Sequence, residues 1–246
     1  MRYFTLIILF FSSSAYSENT YNRILEGMTP NSITIIGESH KRLESIELFR
    51  SLITEHIQQY KCLTVALEIA SSQQLMIEEI MQGRATVADI EIAPMIDHPP
   101  LRALIDDLID IRSSGNCMEL IAIDAGFEIS TRRDEWMAKK LAEHVSQTPM
   151  LVLLGSLHTL KNVNWNLAMT EELPYVSGIM ELRGHRIRTY PQIWMDRTCN
   201  TQNRLIPADR LEATKLLNNK LIALLNAFEQ QRASDTVDGI ILWECA

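Results

Sequence analysis

The chain alternates short, almost continuous apolar runs with longer stretches in which apolar residues recur every three or four positions. The runs "SITIIGE" (32–38), "LTVALE" (63–68), "MELIAID" (118–124) and "MLVLLG" (150–155) have the length and the β-branched or aliphatic content of strands buried on both faces. Helical spacing fills the intervals. Residues 42–58 place Ile46, Phe49, Ile53 and Ile57 on one face, and a second helix runs from about 71 to 82 and ends near Gly83. A third follows Pro99-Pro100, buries Leu101, Leu104, Ile105 and Leu108, and stops near Ser113-Ser114-Gly115. A fourth is opened by Thr131, with Asp134 three residues on as in a capping box. Strands and helices in this alternation predict an α/β fold, a mostly parallel central sheet with helices on both faces. Beyond residue 175 the pattern changes. "YVSGIMEL", "HRIRTYPQIW" and "GIILWEC" read as a mixed set of strands that admits antiparallel pairing. They flank one helix from about 208 to 231, whose Leu217, Leu221, Leu224, Leu225 and Phe228 form a core face.

The first stretch stands apart. Arg2 precedes an apolar run from Tyr3 to Phe11, and Ala15-Tyr16-Ser17 then leads into polar sequence, the layout of a secretory signal cleaved after Ser17. The run is shorter than the roughly 20 residues that a membrane span needs. Export, to the periplasm and without a stable span after cleavage, is therefore expected. No repeat or linker interrupts the remainder of the chain, so residues 18–246 read as a single domain. Net charge is −8 with acids and bases interspersed, which excludes nucleic acid as a natural partner, because phosphate binding needs a cationic face.

Export also changes the reading of the four cysteines. Cys62 and Cys117 each precede a predicted strand. If those strands are parallel neighbours their starts lie about 5 Å apart, within disulfide reach. Cys199 and Cys245 would then form the second pair.

The chemistry gathers at strand ends. A parallel sheet aligns all strand C-termini along one edge, where open α/β folds bind ligands. The first strand ends in Glu38 with His40 just beyond, the second in Glu68 and the third in Asp124, while the fourth runs through "GSLH" to His158. Arg133 lies four residues before Met137 and eight before Leu141, on the buried stripe of its helix and in its first turn, where it can pair with Glu68, Asp124 or a substrate anion. Arg42 is a lesser candidate for the entrance. His56 and His144 fall on or beside apolar faces and read as structural, while His98 and His185 sit in predicted turns.

Two imidazoles and several carboxylates support two mechanisms. His40, His158, Glu38 and Glu68 could hold a divalent metal (Zn, Mn or Fe) that lowers the pKa of a bound water. Without a metal, His40 serves as general base on water, oriented by Glu38 or Glu68, with His158 or Arg133 stabilising the oxyanion. Neither HExxH nor GxSxG is present, which argues against zincin peptidases and serine hydrolases.

The pair "GESH" and "GSLH", with "ALE" (66–68) followed by Gln74 and with "RRDEWMAKKL" (132–141), resembles the superfamily of ChaN-like haem-binding proteins, Tiki/TraB-type proteins and erythromycin esterases. The resemblance spans about residues 32–170, and the layout is nearest the ChaN-like branch. The chain departs from that branch in having no lipoprotein cysteine and no further histidines directly after the first motif. The resemblance implies an α/β fold with a polar cleft built from these motifs, and it implies more than one activity: metal-dependent peptidase for Tiki-type members, lactone hydrolysis without an obligatory metal for erythromycin esterases, haem binding for ChaN-like ones. The expectation is an exported hydrolase acting on a small-molecule or peptide substrate, the alternative a haem- or iron-binding protein.

Overall fold

The computed structural model describes residues 14–59, 62–126, 129–165, 174–196, 198, 202–225, 227–228 and 230–245. Along the chain come α1 (Ser14–Leu25), β1 (Ser32–Glu38), α2 (Leu43–Gln59), β2 (Cys62–Ala70), α3 (Gln74–Met81), α4 (Pro99–Ser113) and β3 (Cys117–Asp124). Then follow α5 (Arg133–Glu143), β4 (Met150–Gly155), α6 (Val176–Leu182), β5 (Arg186–Trp194), β6 (Gln202–Pro207), α7 (Leu211–Lys220), α8 (Ala233–Thr236) and β7 (Gly239–Glu244). The strands form one seven-stranded sheet in the order β3-β2-β4-β1-β5-β7-β6, parallel except for the β6–β7 pair. The expected α/β architecture is therefore present.

Both faces of the sheet are covered. On one side Ile46, Phe49, Leu52 and Ile53 of α2 join Leu104 and Leu108 of α4 against Val65, Leu67, Leu151 and Leu153. On the other, Met137, Ala138 and Leu141 of α5 and Val176, Ile179 and Met180 of α6 pack on Ile33, Ile35, Ile121, Val152 and Leu154. Alternate strand residues serve alternate layers, and this is why the strands read as continuous apolar runs. All seven residues of β1 are buried, Glu38 included.

Strand order decides what the site can contain. β4 inserts between β1 and β2, with Glu38 opposite Gly155 and Leu67 opposite Leu153. A bulge in β2 places one extra residue between Leu67 and Ala70, so the strand shifts register just where it carries Glu68. At the other end of the same strands Cys62 and Cys117 are register partners and form a disulfide, with a Cα–Cα distance of 4.5 Å. Cys245 is disulfide-bonded as well, and Cys199, its expected partner, lies outside the described residues.

The two outermost strands are capped by side chains. The Gln74 amide mimics a neighbouring strand on β3, donating to Leu120 O (3.2 Å) and accepting from Ala122 N (2.8 Å). On β6, Leu205 N donates to the Thr20 hydroxyl of α1 (3.0 Å). Residues 1–13 of the expected signal lie outside the described residues. A cut after Ser17 would fall inside α1, before its buried Thr20, Ile24 and Leu25.

Several expectations for the C-terminal part are corrected. "YVSGIMEL" is the helix α6, not a strand: Val176, Ile179 and Met180 are buried at helical spacing. A Cβ on Gly178 would stand 2.3 Å from the Lys161 carbonyl oxygen, so this glycine permits a close helix approach. β5 and β7 are parallel strands, and the antiparallel member is β6, a Pro-ended edge strand whose weak pattern gave no warning. The single helix expected over 208–231 ends at Lys220. The Asn218 amide donates to Gln231 O (2.8 Å) and accepts from Gln231 N (2.8 Å), which pins the returning chain and forces a turn. Leu217 and Leu221 enter the core as expected, whereas Leu224 is 72% exposed. The capping box at Thr131 does not form either: α5 starts at Arg133 without a side-chain cap, and Asp134 turns elsewhere.

Gly37 shows how tightly the strand ends are assembled. A Cβ there would lie 2.7 Å from Thr159 Cγ2, 2.9 Å from Ser156 Cα and 3.0 Å from Pro191 Cα. Gly37→Ala is expected to cost about 1–3 kcal/mol by overpacking, read as a lower urea midpoint at unchanged m-value; an unaltered midpoint would contradict this packing.

Candidate functional site

The sheet's C-terminal edge brings the six expected side chains together in two adjoining groups. Glu38, His40 and His158 line a cavity of about 560 Å³ with Ser39, Arg42, Gly155, Gln192 and Trp194. Glu68, Asp124 and Arg133 form an ion-pair cluster beside it, linked to the cavity through Gly155.

In the first group, the His40 Nδ1 donates to Glu38 Oε1 at 2.9 Å. The Glu38 side chain is only 4% exposed, and its second oxygen, Oε2, is buried with no hydrogen-bond partner among the described residues. A buried, uncommitted carboxylate oxygen at a cavity floor is a position for a water or a substrate donor. The hydrogen bond to Glu38 raises the His40 pKa above its ordinary value against the lowering effect of partial burial; the charges of Glu38 and Glu68 add to the rise and Arg133 opposes it. Lys41, immediately after His40, adopts a left-handed φ of 65°, unusual for a side chain with a Cβ.

His158 lies on a tight 3-10 turn, Ser156–Thr159, that continues β4. Its Nδ1 donates to Asp134 Oδ1 at 2.7 Å, and the same oxygen accepts from Val176 N at 2.9 Å. The acid expected to cap its own helix therefore caps the start of α6 and orients an imidazole. Both rings lie against Gly155: a Cβ there would be 3.4 Å from His40 Cε1 and Nε2 and 3.6 Å from His158 Cδ2. The Ser156 hydroxyl donates to Glu38 O at 3.1 Å.

In the second group Arg133 bridges two acids. Its Nε donates to Asp124 Oδ1 (2.7 Å) and its Nη2 to Asp124 Oδ2 (3.1 Å) and to Glu68 Oε1. Glu68 Oε2 accepts from Gly155 N at 2.7 Å and so fixes the end of β4. Burial alone would lower the Arg133 pKa, but the Asp124 and Glu68 carboxylates outweigh it and drive the value upward, so the guanidinium stays charged. This geometry bears on a metal. Glu68 and Asp124 already share a cation, the guanidinium, and Glu38 is engaged by His40. Among the described residues no three His, Cys, Asp or Glu side chains are arranged to hold an ion.

The other histidines lie elsewhere. His56 is fully buried, its Nε2 donating to Cys62 O (3.3 Å), and burial lowers its pKa. His144 contacts Glu119 at 3.3 Å, and His98 lines a separate cavity with Asp97 and Arg102. His185 follows α6 and donates its backbone N–H to Met180 O. The sequence reading missed Asp134, which it took for a helix cap, and Trp194, which ends β5 at this same edge. Lys220, the last residue of α7, and Leu221 and Leu224 of the turn after it reach the cavity, and no local pattern signals that.

No protein-family model matches the chain, and no curated protein matches it in sequence. Solved structures match it in shape. A Bacillus cereus protein gives a TM-score of 0.63 at 8% identity over 91% of each chain. ChaN of Campylobacter jejuni, in a structure with cofacially bound haem, gives 0.55 at 12% identity over 91% of each chain. A mutant of erythromycin esterase EreC in its open conformation gives 0.56 at 10% identity, covering 90% of this chain and 91% of its own. The chain has the ChaN-like and erythromycin-esterase-like fold. At these identities the likeness establishes architecture and leaves activity to the site.

Replacing Arg133 by Met would leave two nearly buried carboxylates sharing no cation. Because the Arg133 side chain is 48% exposed, the loss should be about 1–3 kcal/mol, below that of a fully buried pair. Urea unfolding of Arg133→Met checks this, and wild-type stability would show that the cluster does not hold the strand ends.

Proposed function

We propose that the protein is a hydrolase in which the Glu38–His40 pair activates water against an ester of a small molecule. The observation that carries this reading is the carboxylate-held His40 at a cavity floor, beside a buried and uncommitted Glu38 oxygen and opposite a second carboxylate-held imidazole. With Nδ1 donating to Glu38, His40 presents Nε2 as the base. Water gives a proton to Nε2, its oxygen adds to the ester carbonyl, and the proton then passes to the leaving alkoxide as the tetrahedral intermediate collapses. With both ring nitrogens carrying a proton, Nδ1–H held by Asp134, His158 donates from Nε2 to the oxygen on which charge develops. Glu68, Asp124 and Arg133 act from behind, holding Gly155 and the end of β3. The esterase among the structural neighbours supports a small-molecule substrate. A metal-assisted version fits these residues less well, since the guanidinium already occupies the acids.

Haem binding is the second reading, favoured by the cavity's apolar wall and by the haem-bound neighbour. His40 and His158, each oriented by a carboxylate through Nδ1, are the cavity residues with the donor atoms to ligate haem iron. The Cys62–Cys117 disulfide supports an oxidising compartment, and we place a single mature domain, from residue 18, in the periplasm.

His40→Ala is expected to lower kcat/KM for p-nitrophenyl esters about 10²–10⁴-fold, and His158→Ala by a smaller factor. Neutral His40 is the active form, so the rate should rise with pH through a value above 6.5, and Glu38→Gln should move that limb to lower pH while slowing the reaction. Full activity in His40→Ala would overturn the reading. A Soret band on adding haemin, abolished by His40→Ala or His158→Ala in a chain without esterase activity, would establish the second.

A further inference from the structure

The cavity has a second half that the proposed chemistry does not use. Away from Glu38, His40 and His158 it is lined by Leu157, Ile193, Trp194, Leu221 and Leu224, with Arg42 and Lys220 beside them. The aromatic wall is braced. Trp194 stacks on Trp243 at 6.2 Å with an interplanar angle of 7°, Trp243 Nε1 donates to Gln192 Oε1 (2.8 Å), and Gln192 Nε2 donates to the buried Ser45 hydroxyl (2.6 Å). The Arg42 guanidinium lies over the Trp194 ring, 5.4 Å from its centre. Leu224, 72% exposed, is held out at the edge of the cavity by the short turn after α7.

Charge separates this half from the rest of the molecule. The chain carries −8 overall, yet the lining residues include one acid, Glu38, which is paired with His40 at the floor. Lys220 is exposed, and it takes part in none of the ion pairs found among the described residues. A cavity of about 560 Å³ is far larger than an ester group and is in the range that encloses a whole small ligand.

Resting on the hydrolase reading, we infer that the substrate is an amphipathic anion: an ester whose apolar body lies along Trp194, Leu221 and Leu224 and whose carboxylate is met by Lys220, with Arg42 adding to the positive field. Acyl recognition is then divided. The braced indole and the leucines provide area, the lysine selects charge, and the anion is drawn toward a cationic patch on an otherwise acidic protein.

The test compares two p-nitrophenyl esters of equal acyl length, the neutral octanoate and the mono-suberate, which ends in a carboxylate. Wild type should favour the suberate about tenfold in kcat/KM, mostly through KM, and the preference should shrink at 1 M salt. Lys220→Glu should reduce the suberate-to-octanoate ratio at least tenfold, and Lys220→Arg should retain it. A ratio near one in wild type, or one that Lys220→Glu leaves unchanged, overturns the inference. Binding of decanoate, measured by calorimetry on wild type and Lys220→Glu, separates this proposal from the one beneath it. If neither ester turns over but decanoate binds and Lys220→Glu weakens it at least fivefold, the anion site stands and the hydrolase reading falls. If decanoate does not bind, or binds Lys220→Glu equally well, the anion site falls even where octanoate is hydrolysed.

Discussion

Three carboxylates, those of Glu38, Glu68 and Asp124, are buried at the C-terminal ends of β1, β2 and β3, and a charge taken out of water without a partner is ruinous to a small fold. Each is met differently. Glu38 has an imidazole on one oxygen. Glu68 has a guanidinium on one side and the Gly155 N–H on the other. Asp124 has the same guanidinium and the Ala125 N–H at 2.8 Å. The arrangement ties α5 to β2 and β3, and β4 to β2, so the edge beside the cavity is also the edge at which the layers are clamped. One oxygen, Glu38 Oε2, is left buried without a hydrogen-bond partner among the described residues.

Much of this was legible in the sequence because parallel strands buried on both faces leave little ambiguity: residues 32–38 and 150–155 are the observed strands β1 and β4. With the strands in place, the acids at their ends followed, and so did the Cys62–Cys117 pairing. Strand order did not, because no local pattern says that β4 slips between β1 and β2, and that insertion is what sets Gly155 between Glu38 and Glu68. Asp134 was misread for a related reason. Its position favours a helix cap, but a helix start and a histidine approach it from distant parts of the chain, and tertiary partners outbid the local one. At residues 218–231 two side-chain amides bond the backbone and turn an apolar stretch that would otherwise continue as a helix.

Asp134 also couples the site to the fold. The oxygen that orients His158 caps α6, the Ser177 hydroxyl donates to His158 O at 2.7 Å, and Gly178 lets α6 press on Lys161. The imidazole is thus located by a helix that begins well after it in the chain. The same architecture occurs in a haem-bound ChaN structure and in an erythromycin esterase, so the sheet alone prescribes no reaction.

The capped margins of the sheet have a consequence for how the molecule behaves in company. An open strand is a template on which another chain can grow, and β3 and β6 would each present one. Gln74 offers its amide where a neighbour's backbone would bind, and Thr20 brings α1 over the opposite margin. Both guards are single polar side chains carried on helices, so protection of the two margins hangs on two local contacts away from the cavity. A chain that lost α1 would keep every residue of the cavity and yet acquire a surface on which copies of itself could polymerise.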